Sequence, residues 1–258
     1  VTYCTIYQEN NNPVKTIIIE GTRLVNFNYN NITTNGQNVT ILSINKVIAA
    51  TMLISNRLQG KGTNITALKI FDSTTAQVIS VNAFHISLES DNPTVAVQLI
   101  KAKGARIQSS EILVKTKNYD TPIIEIINPT TNFVTNNYIE SEDVCGNDAV
   151  KVIGTGIYTI NNNKPTNGNY KTQMNITIPP ELKIGKTYPI IINVTSMIGE
   201  AVNGTVTVTT NSKETNLTLT DGIATYNYTP TKDGENTIKI TYNDPNGKYE
   251  NNTITQTV

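Results

Sequence analysis

Leu53 to Gly62 reads "LISNRLQGKG", and the residue pattern that it contains recurs through the first 160 residues of the chain. An asparagine stands three places after one apolar residue and two places before another. The same pattern occurs around Asn30, in "NYNNITT", and around Asn82, in "ISVNAFHIS". A self-similar period of about 20 to 50 residues indicates an array of stacked units.

Aligning the copies of this pattern produces columns of similar residues at intervals of 25 to 29 positions. The first apolar column contains Ile19, Ile44, Ile70, Leu99, Ile126 and Val152. The second, two places upstream, contains Ile17, Leu42, Leu68, Val97, Ile124 and Val150. The polar mark further downstream is Asn30, Asn56, Asn82, Ser110, Asn137 and Asn162. Apolar residues flank that mark at Phe27, Leu53, Ile79, Ile107 and Val134 before it and at Ile32, Leu58, Phe84, Ile112 and Ile139 after it.

These columns have a period of two within short runs, which is the alternation of a β-strand and not of a helix. Turn-forming stretches such as "TNG", "GKG" and "NPTTN" separate the runs. A unit built in this way buries its apolar face only when copies stack, about 4.8 Å apart. The sequence therefore predicts a parallel β-helix of about six coils with aliphatic columns inside.

The polar mark has a structural interpretation. At each corner the backbone leaves the sheet pattern, and a buried asparagine supplies both a donor and an acceptor to it. Asparagine also tolerates the left-handed conformation of a bend, and stacked asparagines bond to one another along the axis. Because a serine interrupts the row, we expect a local adjustment in that coil. The predicted structural asparagine ladder contains Asn30, Asn56, Asn82, Ser110 and Asn137.

The repeat stops in the polar stretch "NNNKPTNGNY", residues 161–170, which has the composition of a linker. Seven runs with strand alternation follow, separated by turn signals such as "TDG" and "NDPNG". This spacing is typical of a β-sandwich. We predict an all-β chain with a β-helix in residues 1–165 and a β-sandwich in residues 171–258.

Composition weighs against several classes of function. The chain has 36 Asn and 40 Thr, 16% charged residues and a formal net charge of zero. Without basic runs we expect no nucleic-acid partner, and without an apolar run of about eighteen residues we expect no membrane insertion. The chain opens on "VTYCTIYQ", which reads as structure, so we expect a fragment that lacks a signal peptide and an anchor. Glycosylation stays open at nine sequons, which begin at Asn31, Asn38, Asn64, Asn175, Asn193, Asn203, Asn216, Asn227 and Asn251.

The chain resembles the adhesin-like proteins of methanogenic archaea over nearly its whole length. The resemblance rests on the coil figures "NYNNITT", "LISNRLQG" and "VTNNYIES" and on the later stretches "GKTYPIIINVTS" and "LTDGIATYNYTPTKDGENTIKITYND". It implies a right-handed parallel β-helix of the pectin-lyase-like type, joined to a bacterial Ig-like β-sandwich. It also implies a long, secreted cell-surface protein that contacts other cells or surfaces, and the resemblance brings no catalytic residue with it.

A polysaccharide lyase or hydrolase of the pectin-lyase-like class is the alternative. Hydrolysis requires two carboxylates within about 10 Å of each other. One acid, Glu125, stands in the outward column between the two inner apolar columns, and Glu140 belongs to an acidic corner that we interpret as solvated. The single His85 is expected at the surface, with no second histidine or cysteine beside it. We therefore expect no catalysis, no cofactor and no metal.

Binding is the function that the sequence favours. Three tyrosines, Tyr29, Tyr119 and Tyr138, lie at or beside corners, where exposed rings would form a flat platform for a ligand. The other interpretation is that these tyrosines are partly buried and shield the corners. The expected partner is a glycan or a protein on another cell surface. An end-to-end contact between copies of the β-helix also stays open, because strand edges pair readily.

Overall fold

Three parallel β-sheets with six strands each form the first part of the chain in the computed structural model. The structure describes residues 2–10, 14–116, 121–166, 170–232 and 236–257. The chain divides into two compact units, residues 1–166 and residues 167–258. The first unit contains the parallel sheets and the second unit contains two antiparallel sheets.

The strands of the first unit are short and follow one another in successive coils. The first two coils contain β1 (Thr5–Asn10), β2 (Val14–Glu20), β3 (Leu24–Asn28), β4 (Asn31–Gln37), β5 (Val39–Asn45) and β6 (Ala50–Ile54). The next two contain β7 (Arg57–Thr63), β8 (Thr66–Ser73), β9 (Val78–Asn82), β10 (His85–Ser90), β11 (Val97–Ala102) and β12 (Ala105–Gln108). The last two contain β13 (Glu111–Lys115), β14 (Ile124–Ile127), β15 (Asn132–Thr135), β16 (Tyr138–Ser141), a 3-10 helix (Gly146–Ala149), β17 (Val150–Ile153) and β18 (Tyr158–Asn161).

Every third strand joins the same sheet, so the chain winds as a solenoid. Sheet I consists of β1, β4, β7, β10, β13 and β16. Sheet II consists of β2, β5, β8, β11, β14 and β17, and sheet III consists of β3, β6, β9, β12, β15 and β18. The predicted parallel β-helix of about six coils is therefore confirmed, while its right-handed sense stays a prediction.

Side chains one coil apart lie above one another, as the apolar columns require. In sheet II, Ile44 pairs with Ile70 and Leu42 pairs with Leu68. Both predicted columns of this sheet are confirmed along their whole length. Their middle members are fully buried. Burying one such aliphatic side chain contributes about 1.5–3 kcal/mol, so these columns are the main stabilising element of the solenoid.

The predicted register is wrong by two residues in the third coil. Leu53 pairs with Val81 and not with Ile79. The cause is the corner at residues 72–77, which is two residues longer than its counterpart at residues 46–49. A shift of two keeps each side chain on its face of the sheet, so the period-two pattern does not reveal it. In the third coil, Val81 takes the position predicted for Ile79. Phe84 takes the position predicted for Asn82, and Ile86 takes the position predicted for Phe84.

One residue per coil adopts the left-handed conformation at the corner between sheets III and I. These residues are Tyr3, Tyr29, Ser55, Ala83, Ser109, Asn136 and Asn162, with φ between 51° and 58°. We expected the ladder asparagine itself to take this conformation, but the residue before it does. The bend therefore precedes the ladder position, and the ladder side chain points inward just after it.

The second unit contains all seven predicted strands. They are β19 (Thr172–Thr177), β20 (Tyr188–Ser196), β21 (Thr205–Thr210), β22 (Lys213–Thr218), β23 (Ile223–Tyr228), β24 (Thr237–Asn243) and β25 (Asn252–Thr257). One antiparallel sheet has the order β19-β20-β23 and the other has the order β22-β21-β24-β25. Apolar side chains from both sheets, among them Ile192 and Ile240, form one shared core. Tyr242 is fully buried there, and its hydroxyl donates to the carbonyl of Asn203 at 2.8 Å.

Candidate binding face

A row of buried polar side chains runs along the corner between sheets III and I. Asn56 Oδ1 accepts hydrogen bonds from the backbone N–H of Asn30 at 3.0 Å and from Asn30 Nδ2 at 2.9 Å. Asn56 Nδ2 donates to the carbonyl of Phe27 at 2.7 Å. Asn137 Oδ1 accepts in the same way from the N–H of Ser110 at 3.0 Å. Each of these side chains satisfies backbone groups that the bend takes out of the sheets.

Asn82 does not belong to this row. It ends β9, where it pairs with Ile54, and its side chain makes no hydrogen bond to the part of the chain that the structure describes. Phe84 occupies the ladder position instead, because of the longer corner before β9. Ser110 adjusts to this neighbour: its Oγ accepts from the N–H of Phe84 at 3.1 Å and donates to the carbonyl of Gln108 at 2.9 Å.

The row extends beyond its predicted members at both ends. Asn163, and not Asn162, continues it, since Asn163 Oδ1 accepts from Asn137 Nδ2 at 2.9 Å. At the other end, the N–H of Cys4 donates to Asn30 Oδ1 at 3.0 Å. The row lies inside the solenoid and holds the corner together, so ligand contacts must come from the outer faces.

Polar side chains line the outer face of sheet I in rows that run across its strands. The first row contains Thr5, Asn31, Arg57, His85, Glu111 and Tyr138. The second row, two positions further along each strand, contains Tyr7, Thr33, Gln59, Ser87, Leu113 and Glu140. Neighbouring members of a row are one strand spacing apart, about 4.8 Å.

His85 and Glu111 form a close pair on this face. His85 Nδ1 lies 2.7 Å from Glu111 Oε2, and the two side chains are 31% and 26% exposed. When Nδ1 carries the proton, it donates to the carboxylate, and this bond fixes the orientation of the imidazole ring. The other ring nitrogen, Nε2, then points away from Glu111 and makes no hydrogen bond to the residues that the structure describes.

Sequence reasoning placed His85 outward but missed its partner. The predicted alignment set Asn82 beside Asn56, which put Ala83 next to Arg57. The true register sets His85 between Arg57 and Glu111. The sequence pattern does not separate the two alignments, since both place apolar residues inside. Only the tertiary structure shows that Ile86, and not Phe84, continues the aliphatic column of sheet I.

We use the name polar strip for seven side chains on the outer face of β4, β7, β10 and β13. They are Asn31, Thr33, Arg57, Gln59, His85, Ser87 and Glu111. Arg57 is exposed and makes no ion pair with any residue that the structure describes. At the margin of the strip, Lys61 Nζ and Glu89 Oε1 lie 3.1 Å apart and neutralise each other. Arg57 is thus a cation whose charge the neighbouring strands do not offset.

Of the three predicted platform tyrosines, Tyr29 is exposed at a corner. Its ring stacks on that of Tyr3, with centroids 5.1 Å apart and an angle of 8° between the planes. The two side chains are 49% and 78% exposed. Tyr7 is exposed on the neighbouring strand β1, and its hydroxyl accepts from Asn35 Nδ2 at 3.4 Å. Sequence reasoning named Tyr29 and missed Tyr3, which occupies the same corner position one coil earlier.

Tyr138 does not join an exposed platform. It is 6% exposed, and its hydroxyl donates to Glu140 Oε2, so it matches the alternative interpretation of a shielded tyrosine. The interpretation of Glu140 as part of a solvated acidic corner is wrong, since Glu140 is 2% exposed. Tyr119 lies outside the described residues.

The outer face of sheet II carries charges that are already compensated or dispersed. Glu125, the one acid of its middle column, accepts from Gln98 Nε2 at 3.2 Å. Lys46 Nζ donates to Glu20 Oε1 at 2.8 Å, and this bond holds the pKa of the Glu20 carboxyl below its ordinary value. The ammonium groups of Lys15 and Lys69 lie over the ring of Phe71. Sheet II therefore shows no carboxylate pair of the kind that hydrolysis requires among its described residues.

In the ranges that the structure describes, no group of three or more His, Cys, Asp or Glu residues is arranged to hold a metal ion. The same ranges contain no helix whose length and apolar character would suit a membrane crossing. Comparison with known proteins found no family model, no curated protein and no solved structure that matches this chain.

Proposed function

We propose that this chain is part of an adhesin-like protein of the cell surface, which attaches to glycans or proteins on other cells without chemical turnover. The observation that carries the proposal is the outer face of sheet I. It offers ordered polar side chains in the polar strip and exposed tyrosines beside it, on a solenoid whose core is closed. Such a face is suited to hold an extended ligand, because its groups repeat at a fixed strand spacing.

One further feature supports a place outside the cell. None of the nine sequon asparagines is buried, whereas the ladder asparagines are. Accessible Asn-X-Ser/Thr sites suit a glycosylated, secreted protein. We propose that the β-helix is right-handed and pectin-lyase-like, and that the two antiparallel sheets of the second unit form an Ig-like module. That module would act as a spacer between the solenoid and the rest of an archaeal surface protein.

The test is a binding screen of the chain on arrayed glycans and on whole cells. We expect retention on at least one glycan or cell type, with no change in the ligand after incubation. Tyr3→Ala and Tyr29→Ala should weaken retention if the stacked tyrosines contribute. Ile157→Ala is a matched control, because Ile157 is a large exposed apolar side chain elsewhere in the first unit. Absence of retention on every surface would contradict the proposal.

A polysaccharide lyase or hydrolase is the second candidate, and the polar strip is the observation that favours it. Arg57 and Glu111 flank His85 on successive strands, so a basic residue and a carboxylate share one face. Release of reducing ends or unsaturated sugars from a polysaccharide would establish this activity. Loss of that release in both Glu111→Gln and His85→Gln would assign it to the strip.

A further inference from the structure

We propose that the polar strip binds the carboxylate of an acidic glycan, with the sugar chain lying along the solenoid axis. This inference rests on the proposed function and deepens it, since it assigns the ligand class and the residues of the same face. Arg57 and His85 would meet the carboxylate, and their neighbours would meet the sugar hydroxyls.

Charge is the first argument for an anionic ligand. Arg57 has five N–H donors in a planar fork that matches a carboxylate with two parallel hydrogen bonds. The nearby Lys61 is already engaged by Glu89. Arg57, in contrast, faces Asn31 on one side and His85 on the other, and neither of these neighbours is an acid.

The fixed imidazole is the second argument. Glu111 Oε2 lies 2.7 Å from His85 Nδ1, so the contact fixes the ring and leaves Nε2 on the side away from Glu111. A ligand carboxylate between Arg57 and His85 would thus bridge two adjacent strands. Glu111 acts here as a positioning residue, because it touches the ring and not the ligand.

The remaining groups of the strip fit sugar hydroxyls. Gln59 and Ser87 pair across β7 and β10, directly beside the Arg57 and His85 pair. Their side chains make no hydrogen bond within the described residues, and the same holds for Thr33 on β4. Amide and hydroxyl groups both donate and accept, which is what a sugar hydroxyl requires. Each strand therefore presents two hydrogen-bonding side chains. Neighbouring strands lie about 4.8 Å apart, which is close to the length of one sugar ring.

An acidic peptide fits this face less well than a glycan. A peptide that adds to a sheet needs free backbone groups at a strand edge. The strands β7 and β10 are paired on both sides, so they offer side chains only. The seven residues of the strip also include no apolar side chain that could receive a peptide side chain, and Leu113, beside Ser87 on β13, is buried.

The experiment is calorimetric titration of the whole chain with an oligogalacturonate and with the same oligomer after reduction of its carboxyl groups. We expect the acidic oligomer to bind at least about tenfold more tightly than the reduced one, and Arg57→Gln to lose that difference. Arg23→Gln is the matched control, since it removes one exposed arginine from another corner of the same unit. Circular dichroism of each variant checks that the solenoid is folded.

The variant His85→Gln tests the role of the imidazole separately. It removes the ring that Glu111 positions beside Arg57, so it should bind the acidic oligomer less tightly than the wild type does. Binding of the reduced oligomer should stay unchanged, and an acidic oligomer that binds His85→Gln as tightly as the wild type would exclude the imidazole from the site.

The outcomes separate this inference from the proposed function. If Arg57→Gln and the reduced oligomer bind as well as the originals, or if poly-glutamate binds as tightly as the oligogalacturonate, the assignment of the strip to an acidic glycan is overturned. Retention on cells or on other arrayed glycans would then leave the adhesin-like function standing. Selective, Arg57-dependent binding of the acidic oligomer supports the inference whichever cells the chain retains.

Discussion

At the scale of single residues, the ladder asparagines and the surface asparagines have the same chemistry but different consequences. Asn56 is buried and bonds to the backbone of the preceding coil through both its oxygen and its nitrogen. Asn82 looks equivalent in the sequence, yet in the structure it pairs with Ile54 and lies two residues before the ladder position of its coil. Burial and partners, and not residue type, therefore decide which asparagine stabilises the fold.

We predict that Asn56→Ala lowers the free energy of unfolding by about 3 kcal/mol, because it leaves the N–H of Asn30 and the carbonyl of Phe27 buried without their partner. Asn82→Ala is the matched control and should cost less than about 1 kcal/mol. Thermal or urea unfolding followed by circular dichroism measures both. Equal effects of the two substitutions would contradict the register described above.

The buried tyrosines of the second unit make a prediction about alkaline pH. Burial raises the pKa of the Tyr242 hydroxyl above its ordinary value, with a smaller contribution from Asp244, and burial also raises the pKa of Tyr228. A raised pKa in the folded state means that this stabilisation is present below about pH 10 and is lost as the pH rises towards the folded-state pKa. The unfolding midpoint of the second unit should therefore fall steeply above about pH 10.

Tyr242→Phe tests this assignment. At neutral pH it should cost about 1 kcal/mol, since the carbonyl of Asn203 loses its donor. Above about pH 10 the variant should lose less further stability than the wild type, because one titrating group is gone. An alkaline loss as steep as that of the wild type, in this variant and in a double variant with Tyr228→Phe, would exclude these tyrosines as its cause.

At the scale of strands and corners, the backbone conformation of each corner sets which residues it accepts. Gly21 belongs to a column of left-handed residues that also contains Lys46, Asp72 and Asn128, and a Cβ at Gly21 would meet no atom within 4 Å. Gly62 has φ of 141°, and a Cβ there would lie 2.0 Å from the carbonyl oxygen of Gly36. The two glycines are thus required to very different degrees.

We predict that Gly21→Asn changes the free energy of unfolding by less than about 1 kcal/mol, and in the stabilising direction, since it restricts the unfolded chain. Gly62→Ala should destabilise the protein by more than about 2 kcal/mol, because the backbone of two coils must separate. Chemical unfolding of the two variants beside the wild type provides the comparison. A tolerated Gly62→Ala would mean that β4 and β7 approach less closely at this corner.

At the scale of the whole molecule, the two units have separate hydrophobic cores. The core of the solenoid and the core of the antiparallel sheets have no residue in common. Ile240→Ala, in the second core, should cost about 2–5 kcal/mol, because it leaves a cavity. Hydrogen exchange should then become faster in residues 170–257 and stay unchanged in residues 14–116. Faster exchange in both ranges would show that the units unfold as one.

The sequence by itself determined the all-β class, the solenoid, the aliphatic columns of sheet II and the seven strands of the second unit. These follow from periods of two and of about 26 residues, which record which side chains are buried and how coils stack. The ladder members Asn30, Asn56 and Asn137 follow from the same pattern.

Only the tertiary structure decided the register of the third coil, and with it the partners of His85. A corner that is two residues longer leaves the alternation of inward and outward side chains unchanged, so the sequence pattern is equally satisfied by two alignments. Packing distinguishes them, because Ile86 and not Phe84 lies over Leu58. Because of this register, Arg57, His85 and Glu111 lie side by side on one face of sheet I, and the proposed ligand contacts rest on these residues.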